Sequence, residues 1–312
     1  MRFWFRAALA AMVIGHSGLA MADGNGDFVE CVAAFLQEDD DKALALCTLA
    51  LKSGDLSHQQ TVNALTTRGA LYVSKGDYDK AIQDLDEAIR LKPGEASAYN
   101  NRGIAYAGKG EYDRAIQDFD QAILLKPDDG AAYTGRASTY ANKGKYDLAI
   151  QGYDQAIRLS PNSTYVSLSR AKLLFELARF SDAVDALEEL VDAHPELAEG
   201  ALWLSLAQRR AGDGADDALK AHEEALDLGE WPGAVVRLYL GQISRDAVQA
   251  ATHDPDEATA RLRSCDAAFY IAELDLISGQ IESAKPGFQH VIDICPKSYT
   301  VSRIAKAELG RL

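Results

Sequence analysis

Thirty-four residues separate Gly69 from Gly103, and thirty-four more lead to Ala137. Around these positions the same run stands three times: TTRGALYVSKGDYDKAIQDLDEAIRLKP, YNNRGIAYAGKGEYDRAIQDFDQAILLKP and YTGRASTYANKGKYDLAIQGYDQAIRLSP. A period of this length leaves room for a pair of helices and none for a strand. One such pair cannot bury its apolar face alone, so neighbouring pairs must stack. Each recurring position then has a physical role. Gly69, Gly103 and Ala137 are small where the first helix of a pair, helix A, must approach the second, helix B. Ala81, Ala115 and Ala149, with Ala88, Ala122 and Ala156, do the same on helix B. Tyr72, Tyr106 and Tyr140 fill the space between the helices, and Leu85, Phe119 and Tyr153 supply matching bulk. Gly76, Gly110 and Gly144 stand where the turn needs positive φ. Pro93, Pro127 and Pro161 stop helix B.

The pattern resembles the tetratricopeptide repeat (TPR) and implies an all-α TPR solenoid of antiparallel helix pairs. The clear repeats are 62–95, 96–129 and 130–163, with a diverged one at 164–197 held by Ala171, Ala183, Leu187 and Pro195. A further TPR-like segment, 265–298, carries Ala272, Gly279, Ala284, Phe288 and Pro296. Residues 23–61 read as a capping hairpin turning at Glu38–Asp41, and 299–312 as a capping helix. Between them, 198–264 reads as an irregular helical segment. Leu202, Trp203 and Leu206 begin a degenerate repeat there, and Asp213-Gly214 and Gly229–Gly233 break it.

The first residues read as a targeting segment. Arg2 and Arg6 precede the apolar run Ala7–Gly15, and Ala20-Met21-Ala22 fits a cleavage site, so 1–22 is expected to be a signal peptide removed after Ala22. The apolar run is short for a membrane span, and no Cys follows a lipid-attachment box, so a soluble, periplasmic or secreted protein without a stable membrane anchor is expected. Net charge is −15, and loss of two arginines and no acids leaves −17. That field repels nucleic acid and anionic lipid and favours a basic protein or peptide partner.

Trp231, then Tyr239-Leu240-Gly241-Gln242-Ile243-Ser244, then Phe269-Tyr270-Ile271-Ala272, resemble the C-terminal half of the NlpI-type TPR lipoproteins of the bacterial envelope. The resemblance implies an adaptor that holds a periplasmic protease or peptidoglycan hydrolases, often as a homodimer. This chain departs from that family in lacking the lipid-acceptor Cys and in carrying four other cysteines.

Motifs for chemistry are missing. The six histidines have no zinc-ligand spacing, so no metal and no cofactor is expected. Asp23-Gly24-Asn25-Gly26-Asp27 starts like a calcium loop, but Phe28 and Ala34 stand where Gly and Glu are required, so it reads as a flexible terminus. Gly144-Lys145 runs into Tyr146, which is no phosphate loop, and no Gly-x-Ser-x-Gly elbow occurs. The chain therefore reads as a binding protein and not an enzyme: a periplasmic scaffold first, a component of a secretion or appendage machine second. An envelope hydrolase with an undetected site in 198–264 is the rival reading.

Two features bear on binding. Arg68, Arg102, Arg136 and Arg170 share one repeat position, and Asp86, Asp120 and Asp154 another. The ladder could clamp a ligand carboxylate or pair internally between packed helices; internal pairing is favoured because the acids repeat with the bases. The inner face of a TPR stack comes mainly from helix A, which here offers Thr66, Asn100, Asn101, Ile104, Thr134, Ser138, Tyr165, Leu168 and Lys172 to a partner. Small polar side chains and amides suit a peptide backbone. Of the five-residue clamp of chaperone-tail-binding TPR proteins only Asn101 matches.

The four cysteines allow three pairings. In an antiparallel hairpin, residues equidistant from the turn lie opposite each other. Cys31 and Cys47 are centred on Asp39, and Cys265 and Cys295 on Gln280 beside Gly279, both in independently expected turns. Disulfides Cys31–Cys47 and Cys265–Cys295 follow, as expected of a secreted chain.

Overall fold

A computed structural model describes residues 24–212 and 218–312. The proposed signal peptide, Asp23 and the break at Asp213-Gly214 lie outside the described residues. Those described form helices and no strand, and divide at Pro161 and Asn162 into two units.

The first unit is four antiparallel hairpins. They are α1 (Gly24–Leu36) with α2 (Asp40–Ser53), α3 (His58–Ser74) with α4 (Tyr78–Leu91), α5 (Ala96–Gly108) with α6 (Tyr112–Leu125), and α7 (Gly130–Asn142) with α8 (Tyr146–Leu159). Each helix B ends two residues before its proline, and Gly76, Gly110 and Gly144 hold φ of +78°, +79° and +72° in the A–B turns. Leu85 and Phe119 are fully buried, each worth about 2–3 kcal/mol relative to exposure. The close approach required of Gly69 is real: a β-carbon there would stand 2.7 Å from Leu85 Cγ.

Two boundaries move. Helix α3 begins at His58, four residues before the repeat frame, because Ser57 and Gln60 form a reciprocal capping box that satisfies the first turn. Gly24–Asp27, read from sequence as a flexible terminus, is the first turn of α1. Gly24 packs so closely on Ser53 that a side chain has no room.

The second unit starts with α9 (Thr164–Glu176), α10 (Phe180–Ala193) and α11 (Ala198–Ala211). Three short helices follow: α12 (Ala218–His222), α13 (Gly233–Tyr239) and α14 (Arg245–Ala250). It closes with α15 (Glu257–Ile277), α16 (Ile281–Ile294) and α17 (Thr300–Leu309). Helix α15 starts eight residues ahead of the expected segment because Asp256 caps it, accepting from Thr259 N at 2.7 Å. Trp203 sits at the centre of an aromatic cluster, 5.2 Å from Phe175 and 5.6 Å from Phe269 between ring centroids. Arg210 ties three helices by bonding Glu273 of α15 at 3.1 Å and Glu308 of α17 at 2.8 Å. The cysteines pair as the hairpins require: Cys31 with Cys47 at 5.1 Å between Cα atoms, and Cys265 with Cys295 at 5.6 Å.

Candidate functional site

The arginine ladder is a chain of internal bridges. Arg68 grips Asp84 with Nε and Nη2, both at 2.7 Å, and Arg102 grips Asp118 in the same way at 2.8 and 2.7 Å. Arg102 also reaches back to Asp86 of the preceding repeat at 2.6 Å, and Arg136 to Asp120 at 2.5 Å. Each guanidinium lies near tyrosine rings, Arg102 between Tyr99 and Tyr106 at 5.5 and 5.9 Å from their centroids. Arg102 is held further toward its charged form, chiefly by the Asp118 bond. Sequence reasoning named Asp86 and Asp120 but missed the main partners, Asp84 and Asp118, which are buried and sixteen residues beyond their arginines. The third repeat differs. Gly152 stands where that acid would be, because Ala137 replaces the glycine opposite and its Cβ would lie 2.9 Å from any Cβ at 152. Arg136 Nε is left buried without a partner. Arg170 holds the matching place on α9.

The expected partner-binding row is less open than the sequence suggested. Thr66, Asn100, Asn101 and Thr134 are buried in the first unit, where α3 packs against α5 and α5 against α7, Leu168 is buried in the second, and only Ile104, Ser138, Tyr165 and Lys172 keep partial exposure. Thr134 Oγ1 donates to the Gly130 carbonyl, Ser138 shares a bond with Tyr153, and Lys172 is paired. What the row retains is unmet bonding capacity. Thr66 Oγ1, Thr67 Oγ1, Asn100 Oδ1 and Asn101 Oδ1 are buried with no hydrogen-bond partner. Orphaned buried oxygens are uncommon in proteins, and each costs about 1–3 kcal/mol. In the 34-residue frame they are two adjacent positions in two consecutive repeats.

The second unit gathers a different set, most of it missed from sequence. Lys172 of α9 donates to Glu199 Oε1 of α11 at 2.5 Å and lies 5.2 Å from the Trp203 ring centroid. Beside this pair, Asp266 of α15 accepts from Tyr299 OH at 2.8 Å and from Trp231 Nε1 at 3.4 Å. Burial pushes the Asp266 carboxyl up to about 6, against the opposing pull of Lys172 and of the Tyr299 and Trp231 bonds. Burial and the Asp266 and Glu199 charges raise the Tyr299 phenol. Tyr165, also raised by burial, feels the charge of Glu199. A sequence signal existed: Tyr165, Glu199 and Asp266 are each the second residue of a repeat-like segment opening at 164, 198 and 265. Trp231 and Tyr239, which carry the envelope-lipoprotein resemblance, are spent inside this unit, Tyr239 OH donating to the Tyr270 carbonyl at 2.7 Å. Among the described residues no group of three or more His, Cys, Asp or Glu is placed to hold a metal, and no helix is long and apolar enough to cross a membrane.

Comparison with known proteins agrees with the fold. A family model described as TPR repeat matches residues 69–110, one described as tetratricopeptide repeat matches 96–129 and 130–163, and another of that description matches 168–235. No curated protein matches the chain. Among solved structures, a thermophilic TPR protein of Thermus thermophilus is similar at 19% identity and a TM-score of 0.51, over 59% of this chain and 98% of that one. A tetratricopeptide repeat protein from Parabacteroides merdae is similar at 16% identity and a TM-score of 0.50, over 80% of this chain and 98% of that one.

Proposed function

Taking as premise that this chain belongs to the tetratricopeptide-repeat family, we propose that it is a periplasmic adaptor that holds other envelope proteins through its helix-A faces. The observation that carries this is the row of Thr66, Thr67, Asn100 and Asn101, whose side-chain oxygens are buried and unpartnered. These polar side chains lie beneath the partly exposed Ile104 and Ser138, so a partner peptide meets a helix-A face with hydrogen-bonding capacity close under its surface. The signal-like first 22 residues and the NlpI-like Trp231 to Ser244 segment support the envelope setting. A protease or a peptidoglycan hydrolase is the kind of client that resemblance implies, and the adaptor acts as a homodimer on the same ground.

Site-specific cross-linking tests the reading. A photoreactive residue at Ile104, partly exposed on helix A, captures a defined envelope protein in cells, whereas one at Leu124, exposed on helix B, does not. Asn100→Ala with Asn101→Ala reduces that capture at least severalfold while far-UV circular dichroism stays unchanged. Equal capture from positions 104 and 124, or capture undiminished in the double variant, rules out the assigned face.

A further inference from the structure

We propose that the cluster of Tyr165, Lys172, Glu199, Trp231, Asp266 and Tyr299 is a receptor for a lysine or arginine side chain of a protein partner. This rests on the adaptor reading and names the chemistry of one contact within it.

The case is one of charge and open valence. Two carboxylates, Glu199 and Asp266, stand against the Lys172 ammonium, and only Glu199 is hydrogen-bonded to it. The two acids are differently placed. Asp266 is buried and both of its oxygens are used, one by Tyr299 and one by Trp231. It is held in place and shielded from water. Glu199 is the accessible member, with 38% of its side chain exposed; only Oε1 is bonded, and Oε2 has no hydrogen-bond partner among the described residues. An arriving ammonium or guanidinium finds a free carboxylate oxygen at the surface and a second carboxylate behind it.

The remaining members suit the same guest. Tyr165, Trp231 and Tyr299 are partly exposed, and aromatic faces attract cations by their quadrupoles. Lys172 already uses this chemistry internally, its ammonium 5.2 Å from the centre of the Trp203 ring. An anionic ligand meets the opposite field, from both the cluster and the whole chain at −15. Hence the selectivity runs toward basic side chains, the reverse of what the arginine ladder would have offered had its carboxylate partners been missing.

Lys172 makes the test sharp, because it is the internal competitor for the same two acids. Acetylated, amidated hexalysine is titrated by calorimetry into the purified chain at low salt, with hexaglutamate as the control peptide. Hexalysine binds and hexaglutamate does not. Glu199→Gln weakens hexalysine binding about tenfold, the size of losing one charge-assisted contact. Glu87→Gln, which removes an equal charge from an exposed site on α4, changes it less than twofold. Lys172→Met strengthens binding severalfold, since the resident cation is gone. Equal effects of Glu199→Gln and Glu87→Gln would reduce the attraction to diffuse charge and overturn the proposal, as would weaker binding by Lys172→Met. The peptide assay needs no native client. A chain that binds hexalysine through Glu199 but captures nothing from Ile104 keeps this site and loses the adaptor reading; the converse loses only the site.

Discussion

Ala178 occupies a position that the repeat assigns to glycine. Gly76, Gly110 and Gly144 turn helix A into helix B with φ near +75°, and Ala178 makes the same turn between α9 and α10 at +55°. A β-carbon in the left-handed region clashes with its own backbone, at about 1–2 kcal/mol. The turn holds because the helices on either side fix it. Ala178→Gly relieves the clash and adds some freedom to the unfolded chain, for a net gain of about 0.5–1 kcal/mol, read as a higher denaturation midpoint at unchanged slope. A second single-residue exchange explains Gly152. Glycine at 69 or 103 admits an aspartate at 84 or 118, whereas alanine at 137 or 272 faces a glycine at 152 or 287, with 2.9 Å between the would-be β-carbons in both cases. In those two repeats one methyl group takes the room a carboxylate would need, whereas in the 164–197 repeat Ala171 stands against Ala186.

Between helices, the arginines show which ion pairs matter. Asp118 is almost wholly buried against Arg102, while Asp86, bonded to the same guanidinium, has 53% of its side chain exposed. Asp118→Ala strips the buried half of the fork and costs about 2–3 kcal/mol; Asp86→Ala costs under about 1 kcal/mol. Chemical denaturation of the two variants side by side checks the contrast, and equal losses would mean that burial does not govern the ladder. Which helices exist was legible in the sequence, because glycine, alanine and proline punctuate a 34-residue period and hairpin geometry leaves few alternatives. The disulfide partners were legible for the same reason. Side-chain traffic between repeats was not. Asp84 and Asp86 lie two apart on α4, and periodicity alone cannot say which of two recurring acids turns inward toward Arg68. The helix-A row differs in another way: stacking buries Asn100 and Asn101 where a solvated groove was expected. In 198–264, where the period lapses, Glu199 still kept a repeat-like place, but that Trp231 reaches Asp266 could be found only in three dimensions.

For the molecule as a whole, covalent ties and charge set the operating conditions. Peptide mapping without reductant yields Cys31 linked to Cys47 and Cys265 linked to Cys295; free thiols or crossed pairs would contradict the hairpins that hold them. Each tie closes a short loop, worth about 3 kcal/mol, and reduction lowers the thermal midpoint accordingly. The first hairpin and the one built from α15 and α16 are thus secured chemically, while the hairpins between them depend on packing and on the arginine bridges. Those bridges are uneven. Arg68 and Arg102 each clasp the helix B of their own repeat; Arg136 clasps only Asp120 of the repeat before, since Gly152 offers it nothing. Helix α8 is the one helix B of the three clear repeats that no such arginine clasp holds to its own helix A. In an array whose stability is a sum over neighbours, a missing clasp lowers the free energy of opening at that member. The exchange of one aspartate for glycine thereby sets an expected order of breathing: native-state hydrogen exchange is faster in α8 than in α4 and α6, and equal protection would mean that packing and the Ser138–Tyr153 bond make up for the missing clasp.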